Sequence, residues 1–487
     1  MIFPKLSVAG VGFVASNPRL FESCCVSSGP PFATLAQGAQ LACRPARPRA
    51  NVGSVHESHR DAGLVRQVGS WALAASIVGM VVGATIFVLP ATLAATIGPY
   101  APWAFLVCAV AVGSIAICFA EGGSRIPTSG GVYGYVQAAF GPLTGYIAGT
   151  LLWVSDVLAC GGITSALADV TVSVVPPAVA GAVHAAVILV AIAGIAFVNI
   201  GGVARGARLV NATTALKLIP LAIFIVVGAA AVHRSNFVQT AAPSIGGLGR
   251  AMILGVFAFM GMETSLCASG EVAQPTRTIP RALAIAILSV TLLYVAVQII
   301  AQGILGSSLA NSTVPLADAM AQVNPALRLL MVAGAGLSMF GYIASDILGS
   351  PRLLFAFARD GLLPRALGRV HPRSHAPHVA ILGYAALASV LALTGTFAEL
   401  AVLSALSTAA LYVIGCAAAW RLKRRNLALA GEALNFRWLG LATIIGVSSM
   451  LIVIALAARA EIIGLTVLVA VSAAIYFLQT HTARIRR

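Results

Sequence analysis

Charged residues are scarce in this chain of 487 residues: they make up 9% of it, while hydrophobic residues make up 59%. A soluble domain carries about 25% charged residues, so this composition cannot cover a water-exposed surface. Apolar stretches of about 20 residues, the length at which a helix spans a bilayer, recur from Trp71 almost to the C-terminus. The sequence therefore predicts a membrane protein and excludes an ordinary soluble domain.

Motifs for catalysis and for ATP hydrolysis are absent from the sequence. No HExxH, GxSxG or GxxxxGK[ST] pattern occurs, and each of these is needed for a particular chemistry. The eight cysteines have neither metal-site nor disulfide spacing, and those in apolar stretches are read as small hydrophobic residues. We expect a protein that is not an enzyme and that holds no metal and no cofactor.

Twelve apolar segments are predicted to be transmembrane helices. Their centres lie near residues 84, 111, 150, 188, 220, 260, 292, 340, 386, 411, 447 and 470. Strands of a membrane barrel are about 10 residues long and alternate in polarity, and these segments do neither. The predicted fold class is an all-α integral membrane protein with twelve transmembrane helices.

Basic residues outnumber acidic ones, with 30 Lys and Arg against 14 Asp and Glu. They are concentrated in alternate loops, for example at residues 205–208, 359–373 and 421–425. Cytoplasmic loops are enriched in Lys and Arg, so both termini are expected in the cytoplasm and the protein in the cell inner (plasma) membrane. The excess positive charge then reflects topology and contact with anionic lipid, and no nucleic acid partner is expected.

Residues 1–60 differ in composition from the remainder of the chain. They are rich in Pro, Ser, Gly and Arg and contain no uninterrupted apolar core of a secretory signal. We expect a disordered N-terminal extension or a gene start placed too early, with the true start near Val52. A faint similarity to an organelle transit peptide is the third interpretation.

The chain is predicted to contain an inverted repeat, an arrangement found in many transporters. Residues 70–232 would form the first five helices and residues 248–423 the next five, with helices 11 and 12 at 437–480 outside the repeat. The loop Arg125–Pro142 is basic, whereas its counterpart Gly306–Pro325 contains no Lys or Arg. One loop lies inside and the other outside if the second half is inverted.

Glycines interrupt the first helix of each half. Helix 1 contains Gly79 and Gly83, with Pro90 further on, and helix 6 contains Gly255 and Gly261. An interrupted helix offers free amides and carbonyls near the middle of the membrane. The alternative is that these small residues only allow helices to pack closely.

Four motifs in order resemble the amino acid–polyamine–organocation permease superfamily. They are GATIFVLP at 83–90, AEGGSRIPTSGGVYGYVQAAFGPLTGYIAG at 120–149, FAFMGMET at 257–264 with EVAQPTRTIPRA at 271–282, and GSPRLLFAFARDGLLPRAL at 349–367. The resemblance covers residues 70–480. It implies the five-plus-five inverted-repeat fold of LeuT-type transporters, with discontinuous helices 1 and 6 and an amino acid or amine as substrate.

The resemblance places the substrate between the interruptions of helices 1 and 6. Free amides there would bind a carboxylate, and free carbonyls would accept from an ammonium. The expected substrate contacts are Val81, Val82, Gly83, Ala84, Thr85, Phe257, Phe259, Met260, Gly261 and Asp346. Thr85 stands where relatives commonly have glycine, so we expect a tighter or differently shaped carboxylate pocket. Phe257 stands where relatives have an aromatic gate; an ordinary core or lipid-facing Phe is the alternative.

Charged residues within the apolar segments suggest how transport is driven. Lys217 is similarly positioned to a helix-5 lysine that replaces sodium in proton-coupled relatives, although a lysine reaching towards the membrane surface is an alternative. Glu263 matches an acid that senses protons or holds the helix-6 break. Glu121 and Arg125 are expected to form a structural pair or a gate.

Two acids, Asp156 and Asp346, are less expected inside a membrane. They favour a cationic or amine-bearing substrate, a proton relay, or pairing between Asp346 and Lys217, and the sequence leaves these alternatives open.

The function predicted from the sequence is secondary active amino acid transport, with a proton as the coupling ion in preference to sodium. An amino acid or polyamine exchanger for cationic substrates and a transport-deficient amino acid sensor are the alternatives. The expected partners are a small-molecule substrate and the lipid bilayer, and a homodimer is a further expectation.

Overall fold

The computed structural model describes residues 68–83, 85–127, 131–238, 242–266, 272–359, 361–374, 376–429 and 433–485. Its helices, in chain order, are α1 Ser70–Val81, α2 Thr85–Ile97, α3 Ala101–Arg125, α4 Val132–Phe140, α5 Pro142–Val172, α6 Ala180–Ile200, α7 Val203–Gly228, α8 Ile245–Ala258, α9 Met262–Ser265, α10 Pro275–Leu305, α11 Pro315–Val323, α12 Pro325–Gly349, α13 Pro351–Arg359, α14 His378–Thr394, α15 Phe397–Arg424, α16 Leu439–Ala455 and α17 Arg459–Ile485. The predicted N-terminal extension at 1–60 lies outside the described residues.

The helices match the apolar segments of the sequence. Nine helical stretches in the described part of the chain are long and apolar enough to cross a membrane, and α1, α14 and α16 are shorter apolar helices. A long apolar helix satisfies all its backbone hydrogen bonds internally, which is what a hydrocarbon environment demands. The predicted fold class, an all-helical membrane protein, is therefore confirmed.

The centre of the bundle is built around α5. Of the 18 consecutive residues that form the most apolar part of α5, 89% are buried. In the most apolar part of α17, only 6% of the residues are buried. Small residues let α5 approach its neighbours closely: a Cβ on Gly161 would lie 2.9 Å from Leu391 Cβ, and one on Gly162 would lie 3.2 Å from Leu400 Cβ. The Ser155 hydroxyl lies 2.9 Å from that of Ser404 on α15. Small and hydroxylated side chains therefore join α5 to α14 and α15, as in other membrane bundles.

Two of the glycines predicted to interrupt helices lie inside continuous helix. Gly79 belongs to α1, where a Cβ would lie 2.9 Å from Thr214 Cγ2 of α7, and Gly255 belongs to α8, where a Cβ would lie 2.6 Å from Cys108 Sγ of α3. Their role in the structure is close packing, which corrects the assignment made from spacing alone. In both helices the interruption occurs a few residues after these glycines, beyond Val81 and beyond Ala258.

Candidate functional site

The first interrupted helix consists of α1 and α2. Helical hydrogen bonding continues to Val82, whose amide donates to Val78 O at 2.8 Å, and Gly83 N then donates to Val81 O at 2.7 Å in a tight turn. The chain resumes as helix at Thr85, which is buried. The last carbonyls of α1 and the first amides of α2 thus lie next to the break, where helix dipoles favour cations and anions respectively.

The residues predicted to offer free amides at the first break are Gly83, Ala84 and Thr85, and the structure describes Gly83 and Thr85. Gly83 N is engaged by Val81 O in this structure, Thr85 begins α2, and Ala84 lies outside the described residues. The N-terminal turn of α2, beginning at Thr85, is therefore the part of the predicted carboxylate site that the structure places at the break.

The second interrupted helix consists of α8 and α9. After α8, Phe259 N donates to Val256 O and Met260 N to Phe257 O, and Gly261 then adopts φ +114°. Only glycine takes up this backbone conformation without strain. The break predicted at Gly261 is therefore present.

The two breaks contact each other. A Cβ on Gly261 would lie 3.2 Å from both the carbonyl carbon and Cβ of Met80 in α1. The Tyr294 hydroxyl of α10 lies 2.6 Å from Val81 O and 3.0 Å from Ala258 O. The structure thus brings together the residues before the break in each helix, which are about 180 residues apart in the sequence.

We expect Gly261→Ala to reduce transport by about 5- to 150-fold, because forcing an L residue into this conformation costs about 1–3 kcal/mol and its Cβ would press on the Met80 backbone. Initial uptake rates in proteoliposomes measure the effect. The matched control is Gly246→Ala at the start of α8, where an added Cβ meets nothing within 4 Å. Equal rates for both variants would contradict the close contact of the two breaks.

Lys217 of α7 is directed at the first interrupted helix. Its ammonium donates to Gly79 O, one helical turn before the break, and the residue is only 1% exposed. The burial contradicts the alternative of a lysine that reaches the membrane surface. Its hydrogen-bond acceptor is a backbone carbonyl, whereas Asp346 is bonded elsewhere, so the predicted alternative of a Lys217–Asp346 pair is not formed.

Glu263 holds the second break. Its Oε1 accepts from Gly261 N at 3.1 Å, and its Oε2 accepts from the Tyr412 hydroxyl at 2.8 Å. A carboxylate bonded to the turn itself fixes the backbone there. Of the two roles that the resemblance implied, this geometry matches the holding of the break.

One face of α12 lies along the first break, and sequence reasoning missed most of it. Ser338 donates to Gly83 O at 2.9 Å, and a Cβ on Gly83 would lie 3.1 Å from Tyr342 Cδ2. Asp346 and Ser350 continue the same face at intervals of four residues. Polar residues at i, i+4 and i+8 share a helix face, so this spacing in an apolar helix was the available signal.

Asp346 and Asp156 form a buried carboxyl pair joined by Ser350. The Ser350 hydroxyl lies 2.6 Å from Asp156 Oδ2 and 3.0 Å from Asp346 Oδ1, and the Tyr384 hydroxyl donates to Asp346 Oδ2. A hydroxyl has one proton, so it donates to one carboxyl at a time. The other contact is a hydrogen bond only when that carboxyl is protonated. The arrangement suits a group that takes up and releases a proton.

Phe257 packs against another aromatic ring at the edge of a cavity. It is 4% exposed, and its ring centroid lies 5.9 Å from that of Phe397 in an edge-to-face arrangement. Phe397 also lines a cavity of about 490 Å³ whose other walls come from α2, the end of α5 and residues 312–313. The burial excludes a lipid-facing Phe257, and its role as a gate stays a prediction.

Glu121 and Arg125 form the predicted pair and clamp a loop. Arg125 Nη2 lies 2.9 Å from Glu121 Oε1, and both side chains are almost fully buried. Arg125 also donates to Leu427 O and to the Asn435 side chain, while Phe436 N donates to Glu121 Oε2 at 3.0 Å. The pair therefore fastens the connection between α15 and α16 to the end of α3. This geometry favours the structural role over the gate.

The apolar helices define a multi-pass membrane protein, and comparison with known sequences places it in a family. A family model described as amino acid permease matches residues 68–478. The chain therefore belongs to the amino acid permease family, in agreement with the superfamily that its motifs resemble.

Individual relatives agree with this placement. The chain is 29% identical to the branched-chain amino acid permease of Bacillus subtilis over 381 residues, which are 72% of this chain and 79% of that protein. It is 29% identical to the methylthioribose transporter of the same organism over 333 residues, 64% of this chain and 72% of that protein. It is 34% identical to an uncharacterized transporter of Mycobacterium tuberculosis over 325 residues, 65% of this chain and 71% of that protein.

Proposed function

We propose that this protein is a secondary active transporter that moves amino acids across the plasma membrane with proton symport. The observation that carries the proposal is the meeting of two interrupted helices, with Gly261 of one break against Met80 beside the other. Helix ends inside a membrane supply the carbonyls and amides that a zwitterion needs, and a zwitterion left without partners in hydrocarbon would cost several kcal/mol.

The arrangement of helices supports twelve spans and an inverted repeat. Each half begins with an interrupted helix, α1–α2 or α8–α9, and each has a nine-residue helix between its second and third spans, α4 or α11. The two short helices occupy corresponding positions in the two halves, as expected if the halves are structurally related repeats. With α1 and α2 counted as one span, the apolar helices make up the twelve that we propose, with both termini in the cytoplasm.

The burial of Lys217 supports proton coupling. An ammonium within a membrane must be bonded or lose its proton, and this ammonium donates to Gly79 O of the helix that we propose forms the substrate site. Loss and gain of the proton would weaken and strengthen this bond to α1, because a neutral amine is a poorer donor than an ammonium. The coupling ion would thereby act directly on the interrupted helix, with no bound sodium required.

A second candidate is exchange of cationic amino acids or polyamines. The observation that favours it is the buried pair of Asp156 and Asp346, since carboxylates within a membrane bind cations or carry protons. In this arrangement Asp346 would contact the substrate. In the symport arrangement the same two acids would relay the proton.

Uptake and counterflow in proteoliposomes test both proposals. Labelled leucine, isoleucine, valine, arginine and lysine would be offered under an imposed pH gradient, a sodium gradient, or neither, with methylthioribose included because a relative is named for it. We expect accumulation of an amino acid driven by the pH gradient alone. Arginine or lysine uptake that requires internal substrate, without accumulation under the pH gradient, would support the exchanger. An absence of flux for every compound would overturn the transport proposal and favour a sensor.

We expect Thr85→Gly to change which amino acids are preferred, because a buried threonine at the first position of α2 narrows the carboxylate pocket and offers a hydroxyl to it. Competition by the amino acid panel against labelled substrate measures the preference. The control is Thr96→Gly near the far end of α2, where the propensity cost of glycine, about 0.5 kcal/mol, is similar. An unaltered order of preference in Thr85→Gly would argue against contact with the substrate.

A further inference from the structure

Four polar side chains form a continuous hydrogen-bonded chain across three helices. It runs from Asp156 on α5 through Ser350, the residue after α12, to Asp346 on α12, and it ends at Tyr384 on α14. All four residues are buried, and among the described residues neither acid forms an ion pair with a Lys, Arg or His. Two buried carboxyls joined through one hydroxyl cannot both carry a charge without a cation, so the pair keeps a proton.

The donors around each acid decide which of them holds this proton. Asp346 Oδ2 accepts from the Tyr384 hydroxyl, a bond that has no counterpart at Asp156. Each acid has one further donor beside it, since the Thr264 hydroxyl faces Asp156 and the Cys160 thiol faces Asp346. Hydrogen bonds donated to a carboxyl stabilise its ionised form. The larger set of donors therefore places the charge on Asp346 and leaves the proton on Asp156.

We propose that Asp156 is the proton-binding residue of this pair and that Ser350 passes its proton to Asp346. Asp156 donates from Oδ2 to Ser350 Oγ across 2.6 Å, and Ser350 donates to Asp346 Oδ1 across 3.0 Å. A shift of both protons along these bonds turns Asp156 into the carboxylate and Asp346 into the acid, with no change in net charge. The inference deepens the proposed symport, on which the role of this transfer in transport rests.

The proton on Asp156 lies beside the second interrupted helix. Thr264, which faces it, directly follows Glu263, the residue that holds the break. A Cβ on Gly349, the last residue of α12, would lie 3.8 Å from Thr264 Cγ2, so α9 packs against the end of α12 at this point. A displacement of α9 would change the surroundings of Asp156. Release of the proton and movement of this interrupted helix would thereby be linked.

Other titratable groups also face the pair. They are Cys160 of α5, Glu263 of α9, Tyr342 of α12 and Tyr384 of α14. The Glu263 carboxylate accepts from Gly261 N and from the Tyr412 hydroxyl, and these two donors favour its ionised form. Thiols and phenols ordinarily lose their protons only above neutral pH. The proton that moves along the chain therefore belongs to the carboxyls of Asp156 and Asp346.

Infrared spectroscopy of the purified protein locates the proton without any transport. The carbonyl band of a protonated carboxyl shifts when water is exchanged for D₂O, which separates it from the bands of amides. We expect this band in the wild type and in Asp346→Asn, whose amide oxygen still accepts from Ser350, and its loss in Asp156→Asn. Glu263→Gln is the matched control and should keep the band.

Loss of the band in Asp346→Asn, or its persistence in Asp156→Asn, would overturn the inference. Asp156→Thr keeps a side chain of similar size that can donate to Ser350, and it replaces the asparagine variant if that variant folds poorly. The threonine variant should also lack the band, and a band that persists in it would overturn the inference equally.

Ser350→Ala tests the transfer, because it interrupts the chain and alters neither acid. In proteoliposomes we expect the ratio of accumulation driven by a pH gradient to counterflow to fall about tenfold, the effect of losing one hydrogen bond to a charged group. Ser472→Ala is the matched control, a buried serine of α17 whose hydroxyl donates to Leu468 O. An unchanged ratio in Ser350→Ala would overturn the transfer through Ser350. A wild type without pH-driven accumulation would overturn the proposed symport, whereas the infrared bands decide the place of the proton in either case.

Discussion

Replacement of Lys217 by methionine is expected to abolish accumulation of substrate driven by a pH gradient. Methionine keeps much of the length of the side chain but removes the charge and the donor to Gly79 O. A hydrogen bond from a charged group contributes about 1.5–3 kcal/mol, and loss of 1–3 kcal/mol of coupling corresponds to about 5- to 150-fold. Accumulation ratios in proteoliposomes with an imposed pH gradient measure the loss.

Two comparisons sharpen this prediction. Lys423→Met is the matched control. Lys423 lies near the C-terminal end of α15, and its ammonium also donates to a backbone carbonyl, that of Phe436. Counterflow without a gradient should persist in Lys217→Met if the lysine couples the proton and does not bind the substrate. Accumulation equal to that of the wild type, or uptake that follows sodium alone, would contradict the proton-coupling role.

Removal of Arg125 is expected to destabilise the protein by about 3–5 kcal/mol, because Glu121 would remain as a buried charge without its partner. The loop between α15 and α16 would also lose the hydrogen bonds that Arg125 donates to Leu427 O and to the Asn435 side chain. The unfolding temperature of purified Arg125→Ala, and the fraction that elutes as a single species in detergent, measure the effect. Arg424→Ala, at an exposed position of α15, is the control and should unfold like the wild type.

A double variant separates the two contributions to this loss. In Glu121→Leu/Arg125→Met neither charge remains, so the cost of an isolated buried charge disappears. The double variant should be more stable than Arg125→Ala. It should remain less stable than the wild type, because the replacement of Glu121 removes the acceptor of Phe436 N. A double variant no better than the single one would show that uncompensated charge is not the cause.

The sequence offered two glycines for each interrupted helix but did not decide which of the two forms the turn. Glycine predicts close packing and backbone freedom alike, because the same missing side chain permits both. Gly79 and Gly255 turned out to serve packing, while Gly261 adopts the positive φ angle. Only the backbone of the folded chain separates these two uses.

The resemblance to the permease superfamily indicated which residue types matter near the breaks, and it missed the side chains that join them. Tyr294, Ser338 and Tyr412 bond to carbonyls or to Glu263 at the breaks. A tyrosine or serine in an apolar helix gives little signal by itself. Its importance comes from the helix that it faces, which the sequence of its own helix does not encode.

By itself the sequence determined the class of the protein. Sparse charge and long apolar runs require a lipid environment, and the order of four motifs indicated the family that the comparison then established. These properties are local, since each is set by residues within about 20 positions, the length of one spanning helix.

Only the tertiary structure decided which residues are neighbours. It placed Lys217 on Gly79 O, joined Asp156 to Asp346 through Ser350, and set the Tyr294 hydroxyl between two helix ends. The physical reason is that such contacts join residues on different helices, often more than a hundred positions apart. Their geometry follows from how small side chains allow the helices to pack, and hydropathy along one helix does not specify this packing.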